Sequence, residues 1–161
     1  TQFAPGYAKG DTNRTPISTF GAPIYGQFSF GIGNNSFEHW QVFLSPLAGK
    51  STTVLDADLR DKAAFGVEAG ATWRLEAGAK ITLNYNQQFS DAFSVTAKSD
   101  IFYNYWGPLS ATDFMLDVIA LYKIKEVFSV NAHVQLIRDI DQIDAWQRRS
   151  VLGVGLAYTI K

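Results

Sequence analysis

Cysteine is absent from this chain. That excludes a disulfide-stapled scaffold and any Cys-ligated zinc or iron–sulfur centre. No run of 18 apolar residues occurs, so no transmembrane helix is encoded. Charge of one sign is also lacking. The 14 Lys and Arg nearly balance the 15 Asp and Glu, and no basic stripe marks a nucleic-acid partner. Helical periodicity is almost missing. No signal peptide is visible. The chain opens on Thr1 rather than Met, which leaves a mature, a processed and an incomplete sequence all open.

Aromatic residues are plentiful, with 12 Phe, 7 Tyr and 4 Trp. So is alternation with a period of two. From Thr72 to Asn86 the odd positions are Trp73, Leu75, Ala77, Ala79, Ile81, Leu83 and Tyr85. The even positions hold Arg74, Glu76, Lys80, Asn84 and small or polar residues. A helix would scatter these charges all round, whereas a strand collects them on one face. Phe93, Val95, Ala97, Ile101, Tyr103 and Tyr105 repeat the pattern against Ser94, Thr96, Lys98, Asp100 and Asn104. Phe114 to Ile124 alternates against Asp113, Asp117 and Lys123, and Phe128 to Leu136 against Ser129, Asn131, His133 and Gln135. Leu152 to Ile160 alternates against Gly153 and Gly155. Two less regular strands are expected at Phe20 to Gly33 and Phe37 to about Leu47.

Short turns are expected near Asn34–Asn35, Ser90–Asp91 and Lys125–Glu126. Long loops are expected at Ala4–Thr19, Pro46–Gly70, Gly107–Ala111 and Arg138–Arg149. Short and long connections alternate, as in outer-membrane barrels with short periplasmic turns and longer extracellular loops. A soluble lipocalin-like barrel alternates too, with its apolar face inward. Three features favour the membrane. The runs exceed the about 5–6 residues usual in soluble strands and reach the about 9–11 that a tilted strand needs to cross a bilayer. The second face carries Arg74, Glu76, Lys80, Lys98, Asp100, Asp117, His133 and Gln135, which suits a polar lumen. Aromatic residues gather at both ends of the apolar faces. Trp73, Tyr103, Tyr105 and Phe114 mark the loop side, and Tyr85, Phe89, Phe93, Tyr122, Phe128 and Tyr158 the turn side, as two interfacial belts should.

The expected fold is therefore an all-β, antiparallel up-and-down transmembrane β-barrel. Seven strands are visible and residues 1–161 form a single domain, the C-terminal portion of the barrel. Barrels need closure and usually have an even strand number from eight upward, so N-terminal strands are expected to precede Thr1-Gln2-Phe3. The expected location is the bacterial outer membrane with a periplasmic C-terminus.

Four stretches suggest a family. They are Thr1-Gln2-Phe3-Ala4-Pro5-Gly6-Tyr7, Phe43-Leu44-Ser45-Pro46-Leu47-Ala48-Gly49-Lys50, Ala64-Phe65-Gly66-Val67-Glu68 and Val151-Leu152-Gly153-Val154-Gly155-Leu156-Ala157-Tyr158. With these the chain resembles an uncharacterised Bacteroidota family of outer-membrane barrels, known only as a domain of unknown function. The resemblance implies fold and location, and strands before the first motif. It implies no catalytic residues. The family's tail is Tyr-Lys-Phe-like, and Tyr158-Thr159-Ile160-Lys161 stops short of it. An acidic cluster after the penultimate strand is partly matched by Asp139, Asp141 and Asp144.

Candidate chemistry is thin. His39 and His133 are the two imidazoles. Ser45 and Ser129 are the hydroxyls weighed as partners, and polar packing is the preferred reading over a triad. Asp139, Asp141 and Asp144, and likewise Asp56, Asp58 and Asp61, offer oxygen ligands for Ca²⁺, against which stands a solvated acidic loop. Lys80 is expected opposite or diagonal to Asp100 with Lys98 nearby, so that the interior is cross-linked by ion pairs. The long loop Pro46–Gly70 is the first candidate for partner contact. The function expected is that of a non-enzymatic structural or docking component of a larger outer-membrane assembly. The alternatives are a passive or substrate-specific pore and an outer-membrane hydrolase. The partners are outer-membrane lipid and other outer-membrane proteins or surface lipoproteins; no cofactor is implied.

Overall fold

The computed structural model describes residues 5–7, 12, 15–125, 127–141 and 143–156, without the side chains of 125, 143 and 144. A two-stranded sheet pairs β1 (Gly6–Tyr7) with β2 (Pro16–Ser18). The main sheet is antiparallel and ordered in sequence: β3 (Ile24–Asn34), β4 (Trp40–Thr53), β5 (Trp73–Gln88), β6 (Phe93–Asn104), β7 (Asp113–Lys125), β8 (Phe128–Asp139) and β9 (Ile143–Leu156). The connection 54–72 holds a short helix, α1 (Ala57–Asp61), and a 3-10 turn at Ala64–Gly66.

The expected period of two carries five strands directly. In β4 the phase changes. Lys50 pairs Glu76, Ala48 pairs Gly78 and Ser45 pairs Lys80, with the ladder shifting between Ser45 and Ala48. On the other side Phe30 pairs Leu47 and Ile32 pairs Leu44. One extra residue therefore enters β4 around Pro46, a residue that strands tolerate at bulges because it donates no hydrogen bond. The bulge lets odd-numbered Leu47 and even-numbered Leu44 share one face. It also explains why this strand looks irregular as a sequence.

The last expected loop is corrected. Arg138–Arg149 is not a long loop: β8 continues to Asp139 and β9 starts at Ile143, leaving residues 140–142 as the connection. Gln135 pairs Arg149, Leu136 pairs Arg148 and Ile137 pairs Gln147. Charged residues here resemble a solvated loop, yet they alternate faces as the neighbouring strands do. Short and long connections consequently do not alternate through to the end. The last strand also starts earlier than Leu152, and Tyr158 lies outside the described residues.

The sheet is inside-out for a protein in water. Its best-buried side chains include Lys50, Glu76, Asp139, Thr52 and Ser45, while Phe30, Ile32, Leu152 and Leu156 are 75–79 % exposed. Burial follows the sheet's curl. Lys50 on β4 contacts Asp139 on β8, four strands away in the sheet order. The sheet must roll up with the charged face inside for that contact to form. The only compact apolar cluster among the described residues lies outside the sheet, where Ala22, Val54, Leu59 and Val67 pack with Ala64, Phe65 and Ala71.

Close backbone approach at the bulge requires glycine. A Cβ on Gly31 would stand 2.0 Å from the Leu44 carbonyl oxygen and 2.6 Å from the Ser45 Cα. Gly31→Ala is expected to destabilise the fold by about 1–3 kcal/mol, as overpacking does, seen as a lower urea midpoint by tryptophan fluorescence. An unchanged midpoint would mean that the two strands do not approach this closely.

Candidate functional site

The inner face brings together side chains from most of the strands. At the loop end, Lys50 Nζ lies 2.7 Å from Asp113 Oδ2, 3.0 Å from Asp139 Oδ2 and 3.9 Å from Glu76 Oε2. Glu76 Oε1 also accepts hydrogen bonds from Arg74 at 3.0 Å and Asn104 at 2.9 Å. Arg74 reaches on to Asp141 at 2.8 Å and to the Gly66 carbonyl at 3.2 Å. The chain of contacts thus runs from the long loop through β5 and β4 to β7, β8 and the residues after β8. A lysine so enclosed loses its hydration, and three carboxylates around one ammonium replace it.

Farther along the inner face, Asp100 takes Lys80 at 3.4 Å, Lys98 at 3.3 Å and a hydrogen bond from Thr82 Oγ1 at 2.5 Å. Lys80 is diagonal to Asp100, because Thr82 is the residue paired with Asp100 and Phe102 the one paired with Lys80. Phe102 shares this polar face and is 5 % exposed. The alternation argument missed it, since its parity sets a large apolar ring among charges. Its diagonal neighbour is the signal that was available: a Cβ on Gly78 would come within 3.1 Å of the Phe102 ring, so glycine leaves the ring its space. Tyr25, Lys50, Phe102, Met115, Ile137 and Asp139 help to line an inner cavity of about 230 Å³.

Towards the turn end, Asp117 Oδ2 is bonded by His133 Nε2 at 2.8 Å and accepts from Gln135 Nε2 at 3.0 Å. This is a carboxylate–imidazole pair, to which no hydroxyl among the described residues is bonded. Ser129 lies four residues from His133 on the same strand, about 13 Å away at the usual strand rise. Ser45 is buried on β4, its hydroxyl without a protein partner. His39 faces Glu38 at 3.9 Å in the turn between β3 and β4. A nucleophile–base–acid arrangement is not assembled among these residues.

The loop placement of Asp139, Asp141 and Asp144 is corrected for Asp139. Asp139 belongs to β8 and is 5 % exposed. Its Oδ2 faces Lys50 and its Oδ1 accepts the Asp141 N–H at 3.1 Å. Asp141 in turn pairs with Arg74. Protein cations already neutralise both carboxylates, and the Asp144 side chain lies outside the described residues. Asp56 is the N-cap of α1: its Oδ1 accepts the Leu59 N–H at 3.1 Å and its Oδ2 the Thr19 hydroxyl at 2.9 Å. Among the described residues no group of three potential ligands has metal-binding geometry.

Several of the expected belt residues are exposed or meet one another near the strand ends, and Tyr158 lies outside the described residues. Trp73, Tyr122 and Phe89 are 52–62 % exposed. Tyr103 meets Tyr105 edge-on at 6.1 Å at the loop end, and the Tyr105 hydroxyl donates to the Pro46 carbonyl. At the turn end Phe89 stacks on Phe93 at 5.5 Å, and Trp40 tilts against Tyr85 at 4.6 Å. Phe93 pairs Tyr122 across the ladder, and Phe114 and Phe128 share the outer face. Comparison with protein-family models, with curated proteins and with solved structures gives no match to this chain.

Two outcomes are expected. Lys50→Met strands two buried carboxylates and the half-buried Asp113 together and should cost about 3–5 kcal/mol, the range for breaking one partner out of a buried ion group. Lys50→Arg should recover most of that in the same denaturation measurement. Equal stability of the Met variant would mean that the network contributes nothing. The second concerns Asp56, whose carboxyl is held below the usual carboxylate range, chiefly by the Leu59 N–H and then by Thr19. A lowered folded value adds stability above the unfolded value and loses it as pH falls through the folded one. Proteolysis within residues 54–72 should therefore quicken in acid, and Asp56→Ala should abolish that pH dependence.

Proposed function

We propose that the seven-stranded sheet belongs to a closed β-barrel of the bacterial outer membrane, with its outer face against lipid and its C-terminal end periplasmic. One observation carries this reading: charged groups are enclosed and large apolar side chains are bare. Lys50 and Glu76 are 6 % and 4 % exposed, against 76 % for Phe30 and 79 % for Leu156. In water that distribution squanders the hydrophobic term and desolvates charge; in hydrocarbon it is the favourable one. The aromatic belts at the two ends support the same solvent assignment.

Closure follows from the proposed solvent. No described strand pairs the free edges of β3 and β9, and hydrocarbon does not tolerate unpaired N–H and C=O groups. Closure therefore requires these edges to pair, and the even strand numbers usual in such proteins favour a further strand between them. The Bacteroidota barrel family that the sequence resembles is the family we propose for it.

Within that barrel the role we favour is non-enzymatic, a structural or docking component of a larger assembly. The ion pairs reach from β4 to β8 across the interior, so the charges neutralise one another instead of lining a single-sign path for ions.

The membrane reading has a discriminating variant. Val134 is on the outer face near mid-strand and 39 % exposed. Val134→Arg should impair folding into phospholipid vesicles by about 2–4 kcal/mol, the cost of Arg near the bilayer midplane. In a water-soluble sheet the same exposed change would be almost neutral. A monomer that stays dissolved without detergent ends the membrane reading. In planar bilayers the complete protein is expected to give no stepwise conductance; regular steps would replace docking with a pore, and lipid or peptide cleavage by the purified protein would replace it with a hydrolase.

A further inference from the structure

The outer face has one electrostatic anomaly. Among the described side chains, the ladder positions on that face are apolar or uncharged in every strand except two. The exceptions are Arg138 on β8 and Arg148 on β9. Leu136 pairs Arg148, so Arg138, two residues farther along β8, is its diagonal neighbour, a spacing of about 7–8 Å. Neither arginine has a carboxylate partner among the described residues, whereas Lys50, Arg74, Lys80 and Lys98 on the inner face each have one. Two adjacent like charges are thus left uncompensated at the rim of a greasy surface.

Their surroundings fix the depth. Arg138 pairs Phe114, a member of the loop-end aromatic belt. The Trp146 ring meets Phe114 edge-on at 5.7 Å, and the Arg138 guanidinium carbon lies 6.0 Å from the Trp146 ring centre. Trp146 is 60 % exposed. On the turn side of this pair the face is aliphatic apart from Ser150, through Leu136, Val134, Leu152 and Val154. Charge, indole and aliphatic surface therefore follow one another in the order that a phosphorylated amphiphile presents.

We propose that Arg138 and Arg148, with Trp146 beside them, bind the phosphates of a phosphorylated glycolipid of the outer leaflet, whose acyl chains run over Leu136, Leu152 and Val154. The inference rests on the outer-membrane reading, which puts the loop end at the outer surface. Guanidinium suits the task because its planar fork gives two N–H donors to one phosphate. A headgroup with two phosphates supplies one to each arginine and removes their mutual repulsion. Charge on the lipid-facing side is tolerated near an interface and not at mid-bilayer; Arg138 stands beside Phe114 of the loop-end belt, and Arg148, one diagonal step deeper, extends a long side chain toward the same level.

The test uses the full chain in detergent micelles, with diphosphoryl lipid A as the probe and native mass spectrometry as the readout. The unaltered protein should retain one lipid A, and the double variant R138Q/R148Q should lower its occupancy at least tenfold. R149Q removes a cation from the adjacent inner-face position and should leave occupancy unchanged. Phosphatidylglycerol at the same concentration should be retained far less. Unchanged occupancy in the double variant, an equal loss in R149Q, or equal retention of phosphatidylglycerol overturns the proposal. Vesicle insertion of all three proteins separates the two readings: insertion without lipid A retention sinks the glycolipid site alone, while failure of the unaltered protein to insert sinks the barrel and this site with it.

Discussion

The ammonium group of Lys50 is the point on which the rest of the structure turns. It holds carboxylates from β5, β7 and β8 around a side chain from β4. These contacts cannot form in a flat sheet, because β4 and β8 are separated by three strands. Backbone ladders fix which strand neighbours which, but they leave the curvature free. A charge that must be compensated by distant opposite charges removes that freedom. The cost is desolvation of several ions at once, and it is offset only while all partners remain in place.

Extension of the same network gives the loop end its shape. Glu76 binds Arg74 and Asn104 while touching Lys50, and Arg74 ties Asp141 and the Gly66 carbonyl to the strand. The long connection after β4 is thereby attached to the interior charge system at one point. Its own apolar cluster around Val54, Leu59 and Val67 holds it elsewhere. Polar side chains do the packing inside the sheet and aliphatic ones do it in the loop, the reverse of the division in a water-soluble domain.

Much of the fold was legible because each strand is long and its two faces differ in chemistry. From Trp73 to Tyr85 every second residue is apolar or aromatic, and the ladder keeps that parity across β5, β6, β7 and β8. Two features defeated it. Pro46 marks a bulge that changes parity within β4, and a fixed-period reading cannot absorb one inserted residue. The polar run from Arg138 to Arg149 resembles a solvated loop, yet it is the paired ends of β8 and β9. Composition favoured loop there; hydrogen bonding to a neighbour decided strand.

The inner charges show the same division. Arg74, Glu76, Lys80, Lys98, Asp100 and Asp117 could be assigned to one face from spacing, and Lys80 with Asp100 as near neighbours, because adjacent strands joined by short turns fix local register. Lys50 could not be found that way: its partners at Asp113 and Asp139 are 63 and 89 residues distant. Asp139 and Asp141 resemble cation ligands when read alone, and become lysine and arginine partners only once the sheet has rolled. The sequence by itself determined period, strand length and the two chemistries of the faces, since these are properties of consecutive residues. The tertiary structure alone decided curvature and the membership of the buried ion network, since each depends on which distant strands share one radius of the roll, and strand pairing set the two outer arginines side by side.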